Sequence, residues 1–313
     1  MNETNENIHQ YPLDIKVLNP DETAEVFKYF SESLQDGFVR IGPKGYFFTT
    51  GINEVAPSIY NMELKPDDTW VISFPKSGTT WMQELVWLVA NDFDYATAEA
   101  VPLVARFNFI EGSMFSSKKS LRYYSDETRE QLAALFKPPD HIAKLPRFIK
   151  SHLPLSLLPP TLLDTCKVVH IARDPRDIAV SYYHHDKRLK LMGYTGDLKQ
   201  YWNMLIKNLV LFSPLFDNVK ESWEKRNHPN MLFLFYEDAL KDLPSTVKRV
   251  AKFLGKTVTE EQMSRLCDHL AFDNFKKNKS VNMEIFKKLN LSCKDVSPFI
   301  RKGEIKSLIF NIF

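Results

Sequence analysis

Cysteine is scarce in this chain: three residues in 313, at Cys166, Cys267 and Cys293. Their wide separation and odd number argue against a disulfide framework and against a zinc site. A surplus of charge of one sign is missing too. The formal net charge is +2, which gives no overall electrostatic case for nucleic-acid binding. No uninterrupted apolar run approaches the length of a membrane span. The polar, acidic residues 1–7 carry no signal-peptide pattern, so a reducing cytosol is the expected compartment. Histidines and carboxylates have no metal-ligand spacing, and no metal is expected. With 44% hydrophobic residues, the chain can still bury a substantial core.

One stretch organises what is present: Trp70-Val71-Ile72-Ser73-Phe74-Pro75-Lys76-Ser77-Gly78-Thr79-Thr80-Trp81. A β-prone run (70–74) follows a polar turn, Lys65-Pro66-Asp67-Asp68, and leads into an apolar helical pattern over 81–90. A loop entering a helix offers unpaired N–H groups and the positive end of the helix dipole, both attractive to anions. Gly78 permits a tight turn and close approach, Lys76 supplies positive charge, and Ser77, Thr79 and Thr80 supply hydroxyls. This is the composition of a phosphate cradle, although an ordinary strand-to-helix turn carrying a chance lysine has the same outline. The common nucleoside-triphosphate loop needs a glycine five residues before Gly-Lys. Here the lysine precedes the single glycine.

Similar units follow. Arg147-Phe148-Ile149-Lys150-Ser151-His152-Leu153-Pro154 reads as a short strand ending in polar residues, and a helical piece follows Pro159-Pro160. The run 167–172 leads through Arg173-Asp174-Pro175 into a helix over about 176–191. Residues 201–225 read as one long amphipathic helix. The run 231–235 is a buried-type strand ending at Tyr236-Glu237-Asp238, and a helix over 243–254 stops at Gly255. Strands alternating with helices predict an α/β fold with a central parallel sheet flanked by helices. Ligands bind such sheets at the carboxyl ends of the strands, where Lys76, Lys150, His152, Arg173 and Tyr236 fall. The pattern is weaker over 97–146, where aromatics mix with charge and Pro138-Pro139. That stretch is either a lid or pocket wall, or a surface excursion.

Taken together, the motifs resemble the cytosolic sulfotransferases over about residues 35–303. The matching text is Phe74-Pro75-Lys76-Ser77-Gly78-Thr79-Thr80-Trp81, Lys150-Ser151-His152-Leu153-Pro154, Ala172-Arg173 followed by Ser181, Tyr236-Glu237-Asp238, and Arg301-Lys302-Gly303. Within the family the chain looks most like an arthropod branch that includes retinol dehydratase. The cues are an enlarged 113–146 insertion, the text from Pro229 to Asp238, and Asn282-Met283-Glu284.

The resemblance implies a single domain with a polar N-terminal extension (1–35). It also implies transfer of a sulfuryl group from 3′-phosphoadenosine 5′-phosphosulfate (PAPS) to a hydroxyl of a small apolar acceptor (a phenol, steroid or retinoid-like alcohol), with PAP as product. In that scheme residues 76–80 hold the phosphosulfate, with Lys76 meeting charge on the bridging oxygen. Arg173 and Ser181 take the 3′-phosphate, although Arg173 could instead pair with Asp174 or Asp177. Trp81 matches an adenine-stacking tryptophan, with a core aromatic as the equal alternative. Tyr236, Phe272, Arg301, Lys302 and Gly303 complete the nucleotide side.

His152 matches the general base, and an imidazole suits that work at cytosolic pH. Lys150 lies two positions earlier on the strand, on the same face, and matches a group that steadies the sulfuryl oxygens. Phe109 and His185 fall at acceptor-pocket positions, Phe109 with core packing as its alternative. Two departures stand out. The family's Thr-Ser-Phe is Leu270-Ala271-Phe272 here, and the text after Gly303 (304–313) lacks the family's Gly/Trp segment and dimerisation motif. A monomer with weakened cofactor retention is therefore expected. The rival readings are a nucleotide kinase, which lacks its Walker glycine and magnesium carboxylates, and a catalytically impaired sulfotransferase-fold binding protein.

Overall fold

A computed structural model of the chain describes residues 11–31, 34, 36–116, 125–136, 146–282, 284–293 and 299–300. Arg301, Lys302, Gly303 and the 304–313 terminus lie outside the described residues, as do 117–124 and 137–145 of the insertion. Three strands, β1 (Ile15–Val17), β2 (Phe38–Ile41) and β3 (Tyr46–Thr49), form an antiparallel sheet. Five more, β4 (Thr69–Ile72), β5 (Asn108–Phe109), β6 (Phe148–Ser151), β7 (Lys167–Ala172) and β8 (Met231–Phe235), form a parallel sheet in the order β5-β6-β4-β7-β8. The expected α/β architecture is what the chain adopts. Among the described residues no helix is long and apolar enough to cross a membrane.

β4 is central because its side chains suit burial on both faces. Thr69, Trp70, Val71 and Ile72 are all buried, and their alternation sends them to different cores. Trp70 and Ile72 join Ile149 and Val168 in the core shared with the three-stranded sheet. Val71 joins Val169, Ile171 and Leu234 beneath the helices Thr79–Ala90 and Leu243–Leu254. The former helix is apolar nearly all round, as a helix sandwiched between sheet and neighbours must be.

A buried ion pair sets the register at the amino ends of β4 and β6. Arg147 Nε–H donates to Asp68 Oδ1 at 2.7 Å, and its Nη2 donates both to Asp68 Oδ2 and to the Glu63 carbonyl. Asp68 also accepts from Lys65 N–H, so its carboxylate is satisfied without water. Two neighbouring strands therefore begin level with each other. Their carboxyl ends, carrying Lys76 and His152, come out level too.

The single helix expected over 201–225 is corrected to two, Leu198–Ile206 and Leu215–Glu224. Apolar periodicity runs through both, but the chain turns between them with Asn208 (φ 56°) and Phe212 (φ 69°) in the left-handed region, and Pro214 caps the second helix. Phe212 N–H donates to the Phe47 carbonyl, and Phe47 N–H to the Ser213 carbonyl, which fixes this turn to the antiparallel sheet. Of the insertion, Gly112–Ser116 forms a 3-10 turn and Asp126–Leu135 a helix. Leu132 and Phe136 pack with Leu291 in a small satellite core.

Breaking the strand-start ion pair leaves one charge stranded. The Asp68→Ala variant is expected to lose about 3–5 kcal/mol of stability, read as a lower denaturant midpoint in equilibrium unfolding.

Candidate active site

Four carboxyl-end segments of the parallel sheet converge on one cavity of about 290 Å³. After β4 the chain turns through Lys76 (φ 69°) and Gly78 (φ 99°). Gly78 is required twice over: its φ is left-handed, and a Cβ there would meet the Tyr236 ring at 2.6 Å. The helix Thr79–Ala90 then starts with no side chain capping it. Its first N–H groups, which lack intrahelical partners, open toward the cavity lined by Gly78, Thr79, Thr80 and Trp81. Ser77 is fully buried, and among the described residues its hydroxyl and the Arg173 Nε–H have no partner. Buried donors without acceptors are costly, so these fit an anion that accepts from them. Thr79 is different: its hydroxyl is engaged with Ser73 Oγ at 2.6 Å.

Arg173 lies over the Tyr236 ring at 4.4 Å, donates to the Lys76 carbonyl at 3.2 Å, and pairs with Asp177 at 3.4 Å. The alternative anticipated for it is thus partly realised through Asp177, while Asp174 pairs with Arg176. Ser181, on the helix Pro175–Arg188, and Phe272 line the same cavity. Trp81 is held on one side and lines the cavity on another. Its Nε1–H donates to the Leu270 carbonyl at 3.0 Å, and its half-buried ring lines the cavity at 5.8 Å from Tyr236.

Lys76 and Lys150 are half-buried, and both line the cavity. Lys76 Nζ sits 4.5 Å from the Phe299 ring, and Lys150 Nζ 4.0 Å from the Phe109 ring. Burial, followed by the nearby charge of Lys150, pushes Lys76 down to about 7. Burial pushes Lys150 down to about 8 against the pull of Glu111.

His152 is held on both sides. Its Nδ1 lies 2.8 Å from the Ser73 carbonyl. A carbonyl can only accept, so Nδ1 carries the proton and Nε2 keeps its lone pair. The Glu111 carboxylate accepts the His152 N–H, and Asn218 Nδ2 donates to the His152 carbonyl at 3.0 Å. Phe109 and Phe212 flank the ring at 5.4 and 5.5 Å. Burial, then the Lys150 charge, holds its pKa well below the usual histidine value. His185 lines the cavity with Nδ1 2.9 Å from Asp186 Oδ1. Phe109 serves both anticipated purposes, lining the cavity and packing against Phe136 at 6.0 Å.

The structure therefore gathers Lys76, Gly78, Thr79, Thr80, Trp81, Lys150, His152, Arg173, Ser181, Tyr236, Phe272, Phe109 and His185 around one cavity, with Ser77 just behind its wall. Sequence reasoning missed Glu111, Asp186, Arg188 and Phe212. The one available signal was a carboxylate set among aromatics, as in Phe109-Ile110-Glu111. Burial pushes both Glu111 and Asp186 up to about 7.

The sulfotransferase domain model matches residues 66–310. The chain belongs to the sulfotransferase family. It is 33% identical to luciferin sulfotransferase of Photinus pyralis over 86% of this chain and 73% of that one. It is also 33% identical to sulfotransferase 1B1 of Mus musculus, over 78% of this chain and 77% of the relative. Retinol dehydratase, solved in a complex with retinol and PAP, superposes with a TM-score of 0.87 at 41% identity, covering 94% of this chain and 90% of that one. A second retinol dehydratase structure, with androsterone and PAP, gives the same TM-score and identity. The likeness to the retinol dehydratase branch stands with the family assignment.

The electrostatics of this sulfotransferase site make a direct prediction. Removing one cation relieves the other, so Lys150→Met is expected to raise the Lys76 pKa above about 7. NMR titration of ¹³C-methylated lysines, with Lys76→Arg as the assignment control, measures it.

Proposed function

We propose that this sulfotransferase transfers the sulfuryl group of PAPS to a hydroxyl of a small apolar acceptor in the cytosol, with His152 as general base. The observation that carries the reading is the tautomer of His152. Its Nδ1 is committed to the Ser73 carbonyl, which leaves Nε2 as the acceptor of a ring that lines the same cavity as Lys76, Lys150 and Arg173. PAPS supplies the activated sulfuryl group and two further anionic phosphates. The uncapped helix start, the unpartnered Ser77 hydroxyl and the Arg173 Nε–H fit such a polyanion, and the family structures solved with PAP support the same choice.

Roles follow from chemistry. Lys76 neutralises negative charge on the leaving phosphate oxygen, and Lys150 steadies the sulfuryl oxygens, both from a desolvated setting where charge acts strongly. His152 Nε2 takes the proton of the acceptor hydroxyl. Arg173 and Ser181 serve the 3′-phosphate, and Trp81, Tyr236 and Phe272 the adenine side. Phe107, Phe109, Phe115, Phe136, Phe212 and Phe286 line the other part of the cavity. They favour an acceptor with a flat or extended apolar body, in keeping with the retinol and androsterone named for the related structures. The insertion helix contributes Leu132 to this wall, which supports the pocket-wall role for 113–146.

The test is a PAPS-dependent acceptor screen over phenols, steroids and retinoids, with products analysed for both sulfate ester and dehydrated alcohol. His152→Ala is expected to lower kcat by about 10²–10⁴-fold while PAP still raises the unfolding temperature. Full activity in that variant removes His152 from the role. Stabilisation by PAP without transfer to any acceptor favours the silent binding protein, and stabilisation by ATP alone favours the kinase.

Protonation gives a second check. Both lysines act as cations, so rising pH removes them, Lys76 through about 7 and Lys150 through about 8. The kcat/KM for PAPS, which reports the free enzyme, is expected to fall as pH rises through that window. At saturating PAPS the falling limb of kcat moves to higher pH, because bound anions favour the charged lysines.

A further inference from the structure

The cavity contains a second imidazole that sulfuryl transfer leaves unused. His185 Nδ1 is 2.9 Å from Asp186 Oδ1, and Asp186 Oδ2 accepts from Tyr201 Oη–H at 2.7 Å. Asp186 is buried at 2% exposure, so the pair is a fixed fixture of the wall rather than a surface contact. With Asp186 ionised, His185 Nδ1–H donates to its carboxylate, which leaves Nε2 an acceptor with no hydrogen-bond partner among the described residues.

What could satisfy that lone pair is narrow. Phosphate and sulfuryl oxygens only accept. Burial and the cations Lys76, Lys150 and Arg188 hold His185 in its neutral form, so it cannot turn donor toward them. Neither lysine donates to it among the described residues. Leu189, Leu191 and Met192 on the neighbouring wall offer no donor, and Tyr182 Oη–H is committed to the Leu211 carbonyl. The reacting hydroxyl has a single proton, and His152 takes it.

Resting on the sulfotransferase reading above, we propose that His185, held by Asp186, determines acceptor specificity by accepting a hydrogen bond from a second O–H or N–H group of the acceptor. An acceptor with one hydroxyl on an otherwise apolar body leaves Nε2 stripped of water and unpaired. A difunctional acceptor pairs both imidazoles, one with the reacting hydroxyl and one with the spectator group. Penalties of this kind for an unpaired buried acceptor correspond to about tenfold in kcat/KM.

The experiment compares 2-naphthol, its dihydroxy isomers with the second hydroxyl at each ring position, and the matching methoxynaphthols, which keep the oxygen but not the proton. At least one dihydroxy isomer is expected to exceed both 2-naphthol and its methoxy counterpart by about tenfold in kcat/KM. His185→Phe abolishes that preference, while His185→Gln, whose amide oxygen still accepts, keeps part of it. Asp186→Asn removes the carboxylate that commits Nδ1 as donor and is expected to narrow the gap between the dihydroxy and methoxy compounds. Unfolding temperatures with PAP report whether each variant is folded. No favoured isomer, or a preference that survives His185→Phe, overturns the proposal while leaving the sulfotransferase reading standing. No transfer to any naphthol or other acceptor overturns both.

Discussion

The site depends on positive charge confined where water is scarce. Lys76, Lys150 and Arg173 come from different parts of the chain and line one cavity, beside aromatic rings rather than beside carboxylates of equal number. Burial brings the two lysines down to about 7 and 8, with the charge of Lys150 adding to the depression of Lys76, so the fold holds this arrangement against its own electrostatics. The parallel sheet supplies the constraint. β4, β6, β7 and β8 end on one edge, and the Asp68–Arg147 pair fixes the level at which β4 and β6 begin. A polyanion entering this edge relieves repulsion that the protein has already accepted, which is the sense in which the site is preorganised.

The carboxylates nearby are placed to support that arrangement without cancelling it. Glu111 accepts the His152 backbone N–H beneath the base and pulls on Lys150. Asp186 lies behind His185 and offsets part of the depression of Lys76. Asp177 accepts from one edge of Arg173 and leaves the Nε–H free. Each acid satisfies a donor at the back of the wall, so the face of the cavity stays cationic.

Much of this was legible in the sequence because it lies at strand ends. Lys76, His152, Arg173 and Tyr236 each close a short β-prone run, and a parallel sheet must bring such ends together. What could not be read depends on contacts distant in sequence. The apolar period across 201–225 continues smoothly, and only the hydrogen bonds of Phe212 and Ser213 to Phe47 show why the helix breaks there. That break also delivers Phe212 and Asn218 to His152. Thr79 lines the cavity, and its hydroxyl also meets Ser73 Oγ, a contact the sequence does not announce. Trp81 left two readings open; its Nε1–H is tied to the Leu270 carbonyl while its ring lines the cavity. Glu111 and Asp186 gave no pattern because a single buried carboxylate has none.

The two histidines are backed differently, His152 by a carbonyl and His185 by a carboxylate. A carboxylate behind an imidazole stabilises the imidazolium, whereas a neutral carbonyl does so much less. His152, backed by the Ser73 carbonyl, lacks that support, and burial, then Lys150 and Lys76, hold its pKa well below the usual histidine value. Burial comes first among the causes for both rings, ahead of the lysine charges, so both imidazoles stay neutral, each with Nδ1 committed and Nε2 as an acceptor.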